Sequence, residues 1–209
     1  MTALDVLRAD RVLSVVRADE IPDPAALCHA LAAGGIRTVE LTFTTPGLLD
    51  LLRSAADAVA QSDVVLGVGT VLTADQARAA IDNGASFLVT PAVRPEVAEV
   101  AVAAGVPVFL GALTPTEVAM AVDLGASAVK IFPAGRFGPR YLSDLHGPYP
   151  DVELLPSGGI TAENARAYLD AGALAVCAGT GVVPPARVAA GDWDDIASRA
   201  RTFVTALTS

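Results

Sequence analysis

Lys130 stands in the run AVKIFPAG, among apolar and small residues, and it is the single lysine among 14 basic residues, the rest being arginine. An ammonium in apolar surroundings loses hydration that it cannot easily recover. A lysine held there points to a use for an amine. Unlike a guanidinium, an amine can shed its proton and attack a carbonyl to form a Schiff base. The second charge out of place is Glu40, inside VELTF. A carboxylate near an amine favours the ammonium, yet it can move protons during carbinolamine formation, dehydration and C–C cleavage. The plain alternative is a buried pair that only neutralises itself. Such pairs add little net stability, which favours a functional reason.

A second chemistry is written in glycine. PSGGIT (156–161) leads into two glycines and then a capped helical run, TAENARAYLDAG. Ser157, Gly158 and Gly159 therefore expose backbone N–H groups beside a helix N-terminus, an arrangement that cradles phosphate. AGTG (178–181) repeats the pattern with Gly179 and Thr180. Either pair alone also reads as an ordinary tight turn; two on adjacent strands favour phosphate. Arg17, following SVV, reads as an anion clamp or as a surface residue. Phe132 and Pro133, just after the lysine, wall off its pocket or pack in the core. His29 and His146 lack ligand spacing and read as structural. Cys28 and Cys177 show neither metal nor redox spacing and read as core filler. The aspartates form no metal-binding pattern.

These residues need elements that bring them together. Strand candidates are 12–17, 36–43, 64–69, 87–90, 106–111, 128–132, 152–157 and 174–179, rich in Val, Leu and Ile with little polar alternation, as in parallel strands buried on both faces. Helical patterns lie between them. Gly34, Gly84, Gly105, Gly125 and Gly172 each end a helical run as left-handed closing residues. Thr73, Asp75, Thr114 and Thr161 sit near helix starts. Pro22, Pro24, Pro95 and Pro115 fit first-turn positions. Segment 133–150 has several breakers around one short helix, and DWDDIASRARTFVTAL reads as a final amphipathic helix that closes the fold. The rhythm predicts one domain over 1–209, a (β/α)8 TIM barrel with N-terminal and C-terminal helices. A doubly wound open sheet would carry a glycine fingerprint after its first strand, and VLSVVRADEIPD has none. In such a barrel Arg17, Glu40, Thr42, Thr44, Thr70, Thr90, Pro91, Lys130, Ser157 and Gly179 gather at the C-terminal ends of the strands, where function sits.

The net charge of −9 argues against nucleic-acid and anionic-membrane partners. An anionic metabolite stays compatible where arginine, lysine or helix N-termini supply local positive potential. Mean hydropathy is +0.51, which argues against disorder. The lack of an 18-residue apolar run, of a signal core and of paired cysteines predicts a cytoplasmic chain.

Taken in order, LSVVRAD, GGIRTVELTFTTP, GVGTVLT, GASFLVTP, VKIFPA, PSGGIT and AGTGVV resemble the class I 2-keto-3-deoxy-6-phosphogluconate (KDPG) and 4-hydroxy-2-oxoglutarate (KHG) aldolases over nearly the whole chain. The resemblance implies a homotrimer of barrels that cleaves a phosphorylated 2-keto acid to pyruvate and glyceraldehyde 3-phosphate, with no metal and no cofactor. It implies Lys130 as the Schiff-base lysine and Glu40 as general acid/base. It places Arg17 and Thr70 on the pyruvyl carboxylate side, and Pro91 and Phe132 along the pocket. It assigns Ser157, Gly158, Gly159, Gly179 and Thr180 to the phosphate. Many relatives have an arginine four positions after the glutamate, where this chain has Thr44. Many also have Thr-Gly-Gly and Gly-Ser at the phosphate elements, where Ser157 and Thr180 keep a hydroxyl. The nearest rival is an aldolase of the galactonate series, which cleaves the C4 epimer. More distant are a phosphosugar epimerase or isomerase, for which two poorly placed histidines are a poor metal set, and a phosphometabolite-binding barrel without catalysis.

Overall fold

The computed structural model describes residues 2–208. Its strands are β1 (Val12–Val16), β2 (Thr38–Thr42), β3 (Val65–Gly69), β4 (Leu88–Val89), β5 (Val108–Ala112), β6 (Ala128–Ile131), β7 (Leu154–Pro156) and β8 (Val176–Ala178). They form one eight-stranded sheet in the order β7-β6-β5-β4-β3-β2-β1-β8, with parallel pairing at each ladder. The seam falls between β7 and β8, where the Leu174 N–H donates to the Leu154 carbonyl at 2.8 Å. The sheet is thus a nearly closed (β/α)8 barrel, the fold that the strand and helix rhythm predicts.

Among the described residues nine helices follow or flank the strands after α1 (Ala3–Asp10): α2 (Pro24–Ala33), α3 (Leu48–Val59), α4 (Ala74–Asp82), α5 (Pro95–Ala103), α6 (Pro115–Asp123), α7 (Arg140–His146), α8 (Ala162–Asp170), α9 (Pro185–Ala189) and α10 (Trp193–Thr208). Their starts follow local chemistry. Thr73 accepts from the Gln76 N–H at 3.2 Å. Thr114 and Glu117 form a reciprocal capping box, with the Thr114 N–H donating to Glu117 Oε2 at 2.7 Å. Pro24, Pro95 and Pro115 open their helices. Pro22 does not: it lies before Asp23, whose side chain caps α2 by accepting from the Ala26 N–H. Segment 133–150 resolves into a short 3-10 turn, Ala134–Arg136, and then α7.

Gly84, Gly105, Gly125 and Gly172 have positive φ, as left-handed closing residues should. Gly34 is an exception, with φ −86°, and Gly35 takes the left-handed position at φ 93°. Gly34 is small for another reason. A Cβ there would lie 2.3 Å from the Ala200 Cβ and 2.7 Å from the Ala197 carbonyl oxygen, so α2 and α10 approach too closely for a side chain.

Two apolar layers hold the barrel. Outward residues such as Val39, Leu41, Leu66 and Val68 pack under the helices. Inward residues Leu13, Phe87, Val89, Phe109, Ala128 and Leu155 fill the barrel and are plugged by Ala3 and Leu7 of α1. The Phe87 and Phe109 rings stack with centroids 5.4 Å apart. Packed aromatic and aliphatic groups thus fill the barrel's interior below its C-terminal face. α10 lies against α2 and α8 with Ile196, Ala200, Phe203 and Leu207 buried, filling the helix position after β8. Among the described residues no helix is long and apolar enough to cross a membrane.

Candidate active site

Strand alternation decides which side chains reach the barrel interior. On β2, Val39 and Leu41 face the helices, which turns Thr38, Glu40 and Thr42 inward. On β6, Ala128 and Lys130 share the inward face, with Lys130 in register between Gly111 of β5 and Leu155 of β7. Lys130 is 7% exposed, and its Nζ lies 5.7 Å from the Phe132 ring centroid. Thr90, the residue just after β4, accepts from the Gly111 N–H at 3.0 Å and donates to the Ala92 carbonyl at 2.6 Å, fixing the Pro91 turn beside the lysine strand.

Glu40 is fully buried, and neither carboxylate oxygen has a hydrogen-bond partner. Burial pushes its pKa above the ordinary carboxylate value; Lys130 first, then Arg17, oppose that shift. Glu40 and Lys130 therefore sense each other, although no ion pair joins them among the described residues. The space for the carboxylate comes from Gly69 on the neighbouring strand. A Cβ at Gly69 would lie 1.7 Å from Glu40 Oε1. Glycines 67 and 111 are equally constrained, one by the Phe87 ring at 2.5 Å and the other by the Pro91 backbone at 2.3 Å. Of these three inward glycines, Gly69 clears room for the carboxylate, Gly67 for the Phe87 ring and Gly111 for the Pro91 turn.

A cavity of about 580 Å³ opens over this layer. The β1 and β3 ends supply Arg17 and Thr70, the β4 end Pro91, and β6 Lys130 and Phe132. The β7 and β8 ends supply Ser157, Gly158, Gly159, Gly179 and Thr180. Of the site residues that the family resemblance implies, only Glu40 stays off the wall, buried behind it, while Thr42, Thr44 and Thr90, also expected at this end of the barrel, do not line the cavity. Arg17 Nη2 donates to Thr70 Oγ1 at 3.3 Å. Thr70 holds φ 57°, a left-handed conformation that costs a β-branched residue about 1–3 kcal/mol and is characteristic of functional turns. Thr44 is exposed and shares with Arg17 a separate hollow of about 290 Å³. Its hydroxyl lies 2.8 Å from that of Thr42, which also lies 3.1 Å from the Val16 carbonyl.

The glycine turn after β7 is held from both sides. Gly158 and Gly159 have φ 83° and 79°, values open to glycine at no steric cost. The Ser157 and Gly158 carbonyls accept from the Ala134 and Gly135 N–H groups, each at 2.8 Å. From α8, Asn164 accepts from the Thr161 N–H and donates to the Gly159 carbonyl, each at 2.9 Å.

Several residues escaped the sequence reading. Val15, Ile160, Thr161, Cys177 and Gly181 also line the cavity. Cys177 is part of the site wall, and burial pushes its thiol up to about 12, which keeps it protonated and unreactive. Its two-residue spacing from Gly179 placed both on one strand face and was the available signal. Gly69 was signalled by two glycines, 67 and 69, inside one strand, a mark of close approach by another group. His146 is structural as expected: its Nε2 lies 3.1 Å from the Val152 carbonyl oxygen and its ring fills space above Gly172. Among the described residues no three His, Cys, Asp or Glu side chains gather as metal ligands would.

The family model for KDPG and KHG aldolase matches residues 4–199. The chain belongs to the KDPG and KHG aldolase family. A 2-dehydro-3-deoxy-phosphogluconate aldolase of Treponema pallidum is 37% identical over 202 residues, covering 94% of this chain and 93% of that protein. Among solved structures, a 4-hydroxy-2-oxoglutarate/2-dehydro-3-deoxyphosphogluconate aldolase from TTHB1 superposes with a TM-score of 0.87 at 35% identity, covering 99% of each chain. A KDPG aldolase from Legionella pneumophila superposes with a TM-score of 0.88 at 28% identity, covering 96% of this chain and 97% of that one. That crystal holds pyruvate captured as a covalent carbinolamine. KDPG and KHG aldolases are aldehyde-lyases that break a carbon–carbon bond through a Schiff base, and the cavity of this chain is lined by one side-chain amine, that of Lys130.

Proposed function

We propose that the protein cleaves 2-keto-3-deoxy-6-phosphogluconate to pyruvate and glyceraldehyde 3-phosphate, and acts also on 4-hydroxy-2-oxoglutarate. The observation that carries the reading is the chain's one lysine, nearly buried at the mouth of the sixth strand, with a fully buried carboxylate behind it. The neutral amine of Lys130 attacks the C2 keto carbon and gives a carbinolamine; protonated Glu40 delivers its proton to the carbinolamine hydroxyl, which leaves as water and gives the protonated imine with Glu40 as carboxylate. The imine is the electron sink. As the C3–C4 bond breaks, its electron pair flows to the imine nitrogen, and the C4 hydroxyl proton passes through a bridging water to Glu40. The aldehyde leaves, carrying the phosphate, and a pyruvyl enamine stays on Lys130. Protonation at C3 and hydrolysis then release pyruvate and restore the amine.

The two ends of the cavity suit the two ends of that substrate. Arg17 and Thr70 offer a guanidinium and a hydroxyl to the carboxylate. Gly158, Gly159, Gly179 and Thr180, beside the N-terminus of α8, offer backbone and hydroxyl donors to the phosphate. The family resemblance also implies a homotrimer, which sedimentation of the purified chain would read directly.

The decisive experiment is borohydride reduction in the presence of pyruvate, followed by peptide mapping. A pyruvyl adduct on the Lys130 peptide is expected, and Lys130→Arg should carry none. Absence of the adduct from the wild-type Lys130 peptide would refute the Schiff-base route. Turnover of the gluconate and galactonate epimers in parallel decides the C4 configuration: faster cleavage of the galactonate epimer would replace the proposed substrate and leave the chemistry intact.

A further inference from the structure

We propose that Arg136 recognises the substrate's phosphate from outside the glycine cradle and sets the preference for phosphorylated over unphosphorylated 2-keto acids. This deepens the proposed function and rests on the assignment of Gly158 and Gly159 to the phosphate.

The cavity holds two cations, Arg17 and Lys130, and both serve the pyruvyl end. The β7 and β8 ends line it with glycines and hydroxyls but no cation. A phosphomonoester carries close to two negative charges at neutral pH, and a chain of net charge −9 repels it on approach. Bidentate guanidinium contact is the strongest recognition a side chain can offer such a group.

Arg136 is placed to offer it. It lines a hollow of about 380 Å³ together with Gly158 and Gly159, the same two glycines that line the main cavity. Its guanidinium is exposed and has neither an ion pair nor a hydrogen bond among the described residues. Most other arginines spend their charge on an acid, as Arg37 does on Asp10 at 2.6 Å and Arg199 on Asp195 at 2.5 Å. The Arg136 backbone is nonetheless anchored to the cradle. The Gly135 N–H donates to the Gly158 carbonyl at 2.8 Å, and a Cβ on Gly135 would come within 2.9 Å of that oxygen. The loop is fixed while the side chain is free, which suits a group that closes over a ligand. Arg136 ends the short turn that follows the Lys130 strand, so one segment, 130–136, links the lysine to the Gly158 and Gly159 turn.

The test compares wild type with Arg136→Gln and Arg136→Lys on 2-keto-3-deoxy-6-phosphogluconate and on 2-keto-3-deoxygluconate, which lacks only the phosphate. Arg136→Gln should lose roughly tenfold to a hundredfold in kcat/KM on the phosphorylated substrate, mainly through KM, and nothing on the other. Arg136→Lys should recover part of the loss, since it keeps the charge without the fork. Inhibition by inorganic phosphate should weaken in parallel, and pyruvate trapping on Lys130 should be unchanged. Thermal unfolding should not move, because the side chain is exposed and unpaired. A wild type that prefers the phosphorylated substrate alongside an Arg136→Gln variant with the same preference overturns the proposal and leaves the cradle standing. Equal losses on both substrates overturn it as well. A wild type with no preference removes the cradle, and Arg136 with it.

Discussion

The catalytic proposal turns on one carboxyl that has no hydrogen bond. Glu40 is held wholly inside the barrel, and burial raises its pKa against the pull of Lys130 and Arg17. A base raised toward the working pH takes a proton better than an ordinary carboxylate. The same shift sets a stability cost. The folded pKa lies above the unfolded one, so the fold is favoured while the group is protonated. That advantage is lost as pH rises through the raised value. Glu40→Gln should therefore gain thermal stability over wild type above the ordinary carboxylate range, with a difference that grows with pH and vanishes in acid. Its kcat should fall by about 10²–10⁴, and the acidic limb of the wild-type pH profile should disappear with it. A variant that keeps that limb would assign it to another group. At this scale the sequence was highly legible. One lysine and one glutamate inside apolar strands are anomalies that burial cost alone exposes. The partnerless state of Glu40 was not legible, because an orphaned oxygen is a fact about neighbours.

At the scale of elements, the barrel rhythm turned the strand candidates into a set of residues at the C-terminal strand ends, and Arg17, Thr70, Pro91, Lys130, Ser157 and Gly179 of that set do line one cavity. What it could not give is how closely adjacent strands crowd. Glycine at 69 is required by the carboxylate that occupies its side-chain position, 1.7 Å from where a Cβ would stand. Gly69→Ala must displace Glu40 or spread β2 from β3. Misplacement of a catalytic group by about 1 Å can cost on the order of a hundredfold in rate, and overpacking a dense interior costs about 1–3 kcal/mol. The expected result is a kcat lower by roughly that factor, a reduced Tm, and undiminished reductive trapping of pyruvate on Lys130. Loss of trapping together with kcat would mean that the glycine serves the lysine and not the carboxylate. Helix punctuation shows the same limit. The run AAGG marks a helix end plainly, but which glycine turns left-handed depends on what packs against the other.

That other contact belongs to the whole molecule. α2 and α10 are separated by most of the chain, yet α10 fills the helix position between α8 and α2 and completes the ring after β8. The amphipathic pattern of residues 193–208 announced a closing helix, and Ile196, Ala200, Phe203 and Leu207 are its buried face. Nothing local announced that Ala200 would meet Gly34, because the two are joined only by closure of the barrel. A glycine with φ −86° is conformationally ordinary, so Gly34→Ala taken alone would stabilise the chain by about 0.4–1 kcal/mol through its unfolded state. The structure reverses that sign. The added methyl group would sit 2.3 Å from the Ala200 Cβ, and the resulting overpacking costs about 1–3 kcal/mol. A fall in Tm of several degrees is expected for a domain of this size. Neither Gly34 nor Ala200 lines the cavity, so kcat/KM should stay at the wild-type level at temperatures where the variant is folded. A Gly34→Ala variant that melts higher would mean that α10 yields easily, and that the barrel does not depend on its last helix for closure.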